Sequence, residues 1–257
     1  MQWLTLKKGL YCALRPRLWP QMLHGIAPAI EHAGALGRFA FRTVVDIGAN
    51  RGQFATFARA MFPQSQIYSF EPLDAPATLF QRYLGEDDGV HLFNSAVGEH
   101  PGDKTIFVAS SDDSSSLLRP TDAQNEIFGI TVARTEQVSV RRLSECLAGR
   151  KMQRPALLKI DVQGGELDVL RGSADLLNRF DVVYVECSYL ALYEGQPLLP
   201  EIMRWMDGRG FHVAGVYNQH VDPAHGPIQA DILFTQAPHA APARPSLQAE
   251  LVPGGLR

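Results

Sequence analysis

No stretch of the 257-residue chain approaches the roughly 18–20 apolar residues that a bilayer-spanning helix needs. Cysteine is scarce: Cys12, Cys146 and Cys187 are odd in number, and their spacings match neither a zinc site nor a CxxC pair. The expectation is three reduced thiols in a cytoplasmic protein. The first residues, MQWLTLKKGLYCALRPRLWP, have basic charge but neither a long apolar centre nor a small-residue cleavage site, which argues against a secretory leader. A basic excess is also missing. Lys plus Arg number 24 against 27 Asp plus Glu, a formal charge of −3. With no extended basic stripe carrying stacking aromatics, no nucleic-acid partner is expected. Neither a G-x-S-x-G elbow nor a G-x-x-x-x-G-K loop occurs, which argues against hydrolase and P-loop readings. His212, His220 and His225 lack metal-ligand spacing with supporting Cys or acids. His220, in YNQH, is either a loop base near an acceptor or a surface histidine. Apolar matter is not lacking: 46% apolar and 20% charged residues suffice for a buried core.

Three stretches differ in character. Residues 1–42 read as a helical N-terminal cap. Up to Trp19 its charges are Lys7, Lys8, Arg15 and Arg17, with no acid. Such a segment can lie weakly on an anionic membrane surface through residues 1–20, or pack on the main domain. Pro16 and Pro20 interrupt any long helix and favour packing. Residues 43–236 are the body. Residues 237–257, rich in Ala and Pro without sustained periodicity, read as a disordered tail.

In the body, strand-like and helix-like runs alternate. TVVDIG (43–48) is a short β-branched run. Phe54, Phe57, Ala58 and Met61 then follow at i, i+3, i+4, i+7, the stripe of an amphipathic helix. QIYSF (66–70) and VHLFNSAV (90–97) are further strands, with Phe80, Tyr83 and Leu84 marking a helix between them. Residues 105–109 and 137–141 are strands flanking a polar excursion. ALLKID (156–161) leads into a helix with Leu167, Leu170, Ala174 and Leu177 on one face. DVVYVEC (181–187) precedes a helix striped by Leu198, Ile202 and Trp205. FHVAGVY (211–217) and ADILFT (230–235) read as an antiparallel closing pair joined by a Pro/Gly-containing loop. This order predicts an α/β sheet with helices on both faces. Its ligand belongs at the carboxyl ends of the strands, after Ile47, Phe70, Ser95, Ile160 and Val185.

The first crossover, Asp46-Ile47-Gly48-Ala49-Asn50-Arg51-Gly52, has two glycines in G-x-x-x-G spacing, not the dinucleotide G-x-G-x-x-G. Gly48 can turn the backbone tightly and Gly52 opens a helix whose free amides favour an electronegative group. The loop serves a cofactor or only the fold. Glu71 ends the next strand 25 positions after Asp46, where a carboxylate can accept both hydroxyls of a ribose; the other reading is a solvated strand-end acid. Asp46, inside an apolar run, needs a partner. It either orients the loop or faces a cationic ligand group.

DIGANRGQFA, FEP, NSAVGEHPGDKTIF, SSSLL, LLKIDVQGGELDVLRG and VYVECS, in that order, resemble the FkbM family of S-adenosylmethionine-dependent methyltransferases. The resemblance covers about residues 43–236. It implies the class I methyltransferase fold: a Rossmann-like, seven-stranded, mostly parallel sheet with one antiparallel strand and helices on both faces. It implies S-adenosylmethionine as methyl donor and a hydroxyl acceptor on a sugar, a glycan such as a cell-surface polysaccharide, or another polar metabolite. Carried over, Asp46, Gly48, Asn50 and Gly52 line the methionine end, Glu71 holds the ribose, and Asn94, Ser95 and Ala96 lie close to the adenine.

Lys159 and Asp161 are two apart on a strand and so share one face. Methyl transfer is an in-line displacement in which the enzyme chiefly holds an acceptor oxygen in line with methyl and sulfur. Asp161 can be the base, orient the acceptor, or ligate a divalent cation that acidifies it. Equally, Lys159 and Asp161 can form a structural ion pair, with Asp161 also capping the following helix. Glu186, at the next strand end, is the second candidate for base or metal ligand. Many relatives carry DVEG where this chain has DVQG, so position 163 offers an amide instead of an acid. The run Asp112-Asp113-Ser114-Ser115-Ser116 can fold over the site or be a solvated loop. Two other readings compete: a nicotinamide-dependent oxidoreductase, since Glu71 suits either ribose, and a non-catalytic cofactor-binding module of the same fold.

Overall fold

The computed structural model describes residues 26–236. Its elements are α1 (Ala33–Leu36), β1 (Thr43–Ile47), α2 (Gln53–Met61), β2 (Gln66–Phe70), α3 (Asp74–Leu84), β3 (Val90–Phe93), β4 (Ala96–Val97), β5 (Gly102–Ala109), α4 (Asp122–Phe128), β6 (Val132–Arg141), α5 (Leu143–Cys146), β7 (Ala156–Ile160), α6 (Glu166–Gly172), β8 (Val182–Ser188), α7 (Leu199–Asp207), β9 (Phe211–Asp222) and β10 (Gly226–Gln236).

Seven strands form one sheet in the order β3-β2-β1-β7-β8-β10-β9. β10 alone runs opposite to the other six strands. This is the class I methyltransferase arrangement expected from the resemblance. β1 and β7 are buried along their whole length because helices cover both faces, so they are apolar almost throughout instead of alternating. Successive side chains serve opposite faces. Val45, Ile47, Leu158, Ile160, Val183 and Val185 pack against Val169, Leu170, Ile202 and Met206 of α6 and α7. Val44, Ile67, Leu157 and Val182 pack against Leu36, Phe54, Phe57 and Phe80 of α1, α2 and α3. The second face contains residues of the segment before β1, so 26–42 packs on the body. The basic segment, Cys12 and the tail 237–257 lie outside the described residues. Cys146 and Cys187 are free and buried.

Four local expectations change. Residues 90–97 are two strands: the chain bends at Asn94-Ser95, and β4 leaves the main sheet to pair with β6 in a second sheet, β4-β6-β5. The helix after β7 ends at Gly172, not beyond Ala174. A Cβ at Gly172 would lie 2.2 Å from the Gly98 carbonyl oxygen, so the chain is pressed against another backbone there and continues as turns. Leu198 is the residue before α7, not part of its stripe. Finally, β9 and β10 extend through the supposed loop and meet in a turn at residues 223–225. Among the described residues no helix is long and apolar enough to cross a membrane.

Candidate active site

A cavity of about 450 Å³ opens at the carboxyl ends of β1, β2 and β7, within the range of about 300–1,000 Å³ that small-molecule sites occupy. Its floor is the β1–α2 loop. Gly48 has φ +83°, and a Cβ there would lie 1.8 Å from the Asp161 carbonyl oxygen; only glycine brings the two crossovers this close. Gly48 and Ala49 donate their N–H groups to the Phe70 carbonyl (3.1 and 2.9 Å), tying the loop to the end of β2. Asn50 also takes a left-handed φ of 47°, and its buried Oδ1 has no hydrogen-bond partner. Gly48 and Asn50 line the cavity; Gly52 does not. With φ +95°, Gly52 faces Phe80 and Leu84 of α3, so its role is helix packing and not the methionine-end contact expected.

Glu71 is 6% exposed and lines the cavity. Asn50 N–H donates to its Oε2 and Leu73 N–H to its Oε1, both at 2.9 Å. Burial pushes the carboxyl up to about 7 despite these two donors. One N–H per oxygen leaves acceptor capacity on each, which suits a diol. Ser95 and Ala96 line the same cavity. Asn94 does not. Its Nδ2 donates to the carbonyls of Glu71 (3.1 Å) and Pro72 (3.3 Å), so it holds the turn that presents Glu71. Volume, glycine cradle, orphaned Asn50 oxygen and doubly held Glu71 together fit a nucleoside-bearing cofactor.

Asp46 and Lys159 lie behind the loop. β1 and β7 pair in register with Asp46 opposite Lys159, and Ser69 and Tyr184 flank them at the same level. Asp46 is fully buried, with Lys159 Nζ 3.2 Å from its Oδ1. The ammonium also donates to the Gly48 carbonyl (3.2 Å) and lies 3.6 Å from Asp161 Oδ2. Burial disfavours charge on Lys159, but Asp46 and Asp161 outweigh it and hold the ammonium above its usual range. Burial raises the Asp46 carboxyl, opposed by Lys159. Neither residue lines the cavity. Asp46 therefore orients the loop through Lys159 instead of facing a ligand, and Lys159 has no direct access to reacting atoms. The ion-pair reading of Lys159 and Asp161 holds; the capping one does not, because Gly165 occupies the position before α6 with no side-chain cap.

Asp161 does line the cavity, with a third of its side chain exposed. Glu186 is brought beside it but does not reach the cavity. Gln163 Nε2 donates to Asp161 Oδ1 (2.8 Å) and Glu186 Oε2 (3.0 Å), while Gln229 Nε2 donates to Glu186 Oε1 (2.6 Å). Burial, then Asp161, Asp231 and Glu166, push the Glu186 carboxyl well above its ordinary range. Glu186 is half-buried, held by two amides and outside the cavity lining, so it is not placed to act as the alternative base. The Ser-rich run is a roof and not a solvated loop. Ser114 and Ser116 are buried, and Ser116 Oγ donates to the Gln163 carbonyl at 2.6 Å. His220 lies on β9, exposed, its ring 5.2 Å from that of Phe128, and does not line the cavity. His212 and His225 pair with Asp207 and Asp222 at the surface. Among the described residues no group of three or more His, Cys, Asp or Glu is disposed to hold a metal ion.

Two contributors escape sequence reading. Tyr193, buried under the roof, lies 3.2 Å from Gln163 Oε1 and 3.0 Å from the Ser114 carbonyl; no local pattern marks it. Glu166 accepts N–H bonds from Gly164 (2.9 Å) and Val162 (3.3 Å), and burial pushes it to about 7. An acid opening a helix after two glycines is a legible signal for that bracing role.

The family model described as methyltransferase FkbM domain matches residues 46–213, well over half of the chain. The chain belongs to the FkbM methyltransferase family. "Methyltransferase 1" of Beauveria bassiana is 33% identical over 148 residues, covering 51% of this chain and 58% of that protein. The chain thus spans under two thirds of that relative's length. "2-O-methyltransferase NoeI" of Sinorhizobium fredii is 29% identical, covering 62% and 69%. "31-O-demethyl-FK506 methyltransferase FkbM" of Streptomyces tacrolimicus is 27% identical, covering 66% and 72%. A methyltransferase family model over most of the body argues against the nicotinamide reading.

Proposed function

We propose that this FkbM-family methyltransferase moves a methyl group from S-adenosylmethionine to a hydroxyl oxygen of a sugar, a glycan or another polar metabolite. The observation that carries the reading is the pairing, in one cavity, of the buried diol-accepting Glu71 with the part-exposed carboxylate of Asp161. Two relatives whose names specify O-methylation support oxygen as acceptor.

When bound, the cofactor supplies an electrophilic methyl on a positively charged sulfur. Glu71 would hold its ribose hydroxyls, Gly48 and Asn50 its methionine end, and Ser95 and Ala96 would line the place of its base. Asp161 takes the acceptor's hydroxyl proton on its carboxylate as the O–C bond forms. The cofactor would bring its own leaving group, a sulfur departing neutral with the bonding pair, so no further acid or oxidant would be required. Asp46 and Lys159 hold the loop and Asp161 in place, and the Ser114–Ser116 roof excludes water from the cavity.

Calorimetry with S-adenosylmethionine and S-adenosylhomocysteine tests the cofactor, and mass spectrometry of a hydroxylated acceptor panel with a deuterated methyl donor tests the transfer. Binding of both sulfur compounds and a labelled methyl ether are expected. Folded protein that binds neither compound, or a label found only on nitrogen, would overturn the reading.

A further inference from the structure

Gln163 sits in a conformation that its surroundings impose. Its φ is +59°, a left-handed value that costs a non-glycine residue energy and persists only where neighbours over-determine it. Ser116 clamps its backbone carbonyl at 2.6 Å. Its side chain is fully employed. An amide nitrogen has two hydrogens, and here one goes to Asp161 Oδ1 and the other to Glu186 Oε2. The amide oxygen faces the Tyr193 hydroxyl, whose single proton is shared between it and the Ser114 carbonyl. Tyr193 in turn accepts from Gln124 Nε2 at 3.0 Å. Turning the amide over would set its oxygen against the Asp161 carboxylate, so one orientation is selected.

The two carboxylates are not equivalent. Asp161 lines the cavity, whereas Glu186 is held from behind by Gln229. The groups facing Glu186 are Asp161, Asp231 and Glu166, with Lys159 as the opposing cation. Two acids this close repel unless donors lie between them.

We propose that Gln163, oriented by Tyr193 and anchored by Glu186, is the positioning residue that sets the Asp161 carboxylate toward the acceptor. The proposal rests on the methyl-transfer reading. Gln163 occupies Oδ1, Lys159 attracts Oδ2, and the carboxylate's rotation is thereby fixed with its open side to the cavity. Glu186 acts through the amide, as a positioning residue and not as a base.

Side-chain amide NMR on the full chain tests this without an acceptor. The Gln163 Nε2 resonance, assigned by its loss in Gln163→Glu, should show both protons shifted downfield and protected from exchange. Glu186→Leu should release one proton and leave the other bonded to Asp161. Tyr193→Phe should speed exchange of both protons by roughly tenfold, the loss expected for one orienting bond. At one fixed pH, the Asp161 carboxyl-carbon resonance should move in Gln163→Leu. S-adenosylhomocysteine calorimetry on each variant reports whether the cavity remains intact. Solvent-rate exchange of the Gln163 amide in the native chain, or an unmoved Asp161 resonance in a Gln163→Leu protein that still binds S-adenosylhomocysteine, would overturn the proposal. A bonded amide in a native chain that binds no S-adenosylhomocysteine would instead sink the methyl-transfer reading and leave the geometry standing.

Discussion

The two sides of the cavity are built differently. The side proposed to hold the cofactor, from Gly48 to Ala96, is largely backbone: left-handed turns, N–H groups aimed at Glu71, and a loop tied to the end of the neighbouring strand. The side proposed to hold the acceptor, around Asp161, is a web of side chains drawn from the loop after β7, from β8 and β10, and from the roof. Backbone recognition depends on a few residues close in sequence and tolerates little change at each. A side-chain web spreads its contribution and loses it in parts.

Breaking the seam between the two sides should have the largest effect. Gly48→Ala forces a left-handed φ on alanine and an overlap with the Asp161 carbonyl. A loss of more than about 4 kcal/mol is expected, read by urea denaturation, with S-adenosylhomocysteine binding abolished. Next comes Lys159→Met. It leaves Asp46 buried without its cation and should cost about 3–5 kcal/mol, whereas the double variant with Asp46→Asn should recover most of that. A double variant as unstable as the single would show that the ammonium's other contacts dominate.

Glu71→Ala confines the test to the cofactor side. Losing a buried, charge-assisted bond costs about 1.5–3 kcal/mol, so S-adenosylhomocysteine affinity should fall at least about tenfold with little change in fold. The same residue gives a pH signature. Folded Glu71 holds its proton up to about 7, above its ordinary 4.5. The folded state therefore binds more protons between those values, and ligand-free stability falls as pH rises through the window. Diol binding favours the ionised form, so affinity should tighten with rising pH up to and through about 7. Glu71→Gln should flatten both dependences; calorimetry and denaturation across that range check it. The smallest effect is expected on the acceptor side. Ser116→Ala removes the bond to the Gln163 carbonyl and the one that Ser116 Oγ accepts from Leu118 N–H, and should cost about 1–2 kcal/mol, with faster exchange of the Gln163 side-chain amide and cofactor affinity kept.

The contrast between the two sides is also a contrast in legibility. The alternation of strands and helices, the burial of TVVDI and ALLKI, and the position of Glu71 after β2 follow from local pattern. So does Gly48, although its closest neighbour, the Asp161 carbonyl, is more than a hundred residues away. Gly52 belongs to the same motif yet packs on α3, because motif spacing reports a turn and not which way its glycine faces. The unbroken strand expected at 90–97 failed for a similar reason: periodicity cannot see that β4 pairs with β6 in another sheet.

The sequence by itself determined the alternation of an α/β sheet, the carboxyl-end location of the cavity and the place of Glu71 at the end of β2, since each depends on local pattern along the chain. Only the tertiary structure decided that Asp161 faces the cavity while Glu186 stands behind it, that Lys159 serves Asp46, and that Gln163 and Tyr193 join them. Those roles depend on strand register and on a roof closing from a distant segment. Hydrogen-bond geometry across such separations is set by packing and leaves no spacing in the chain to read.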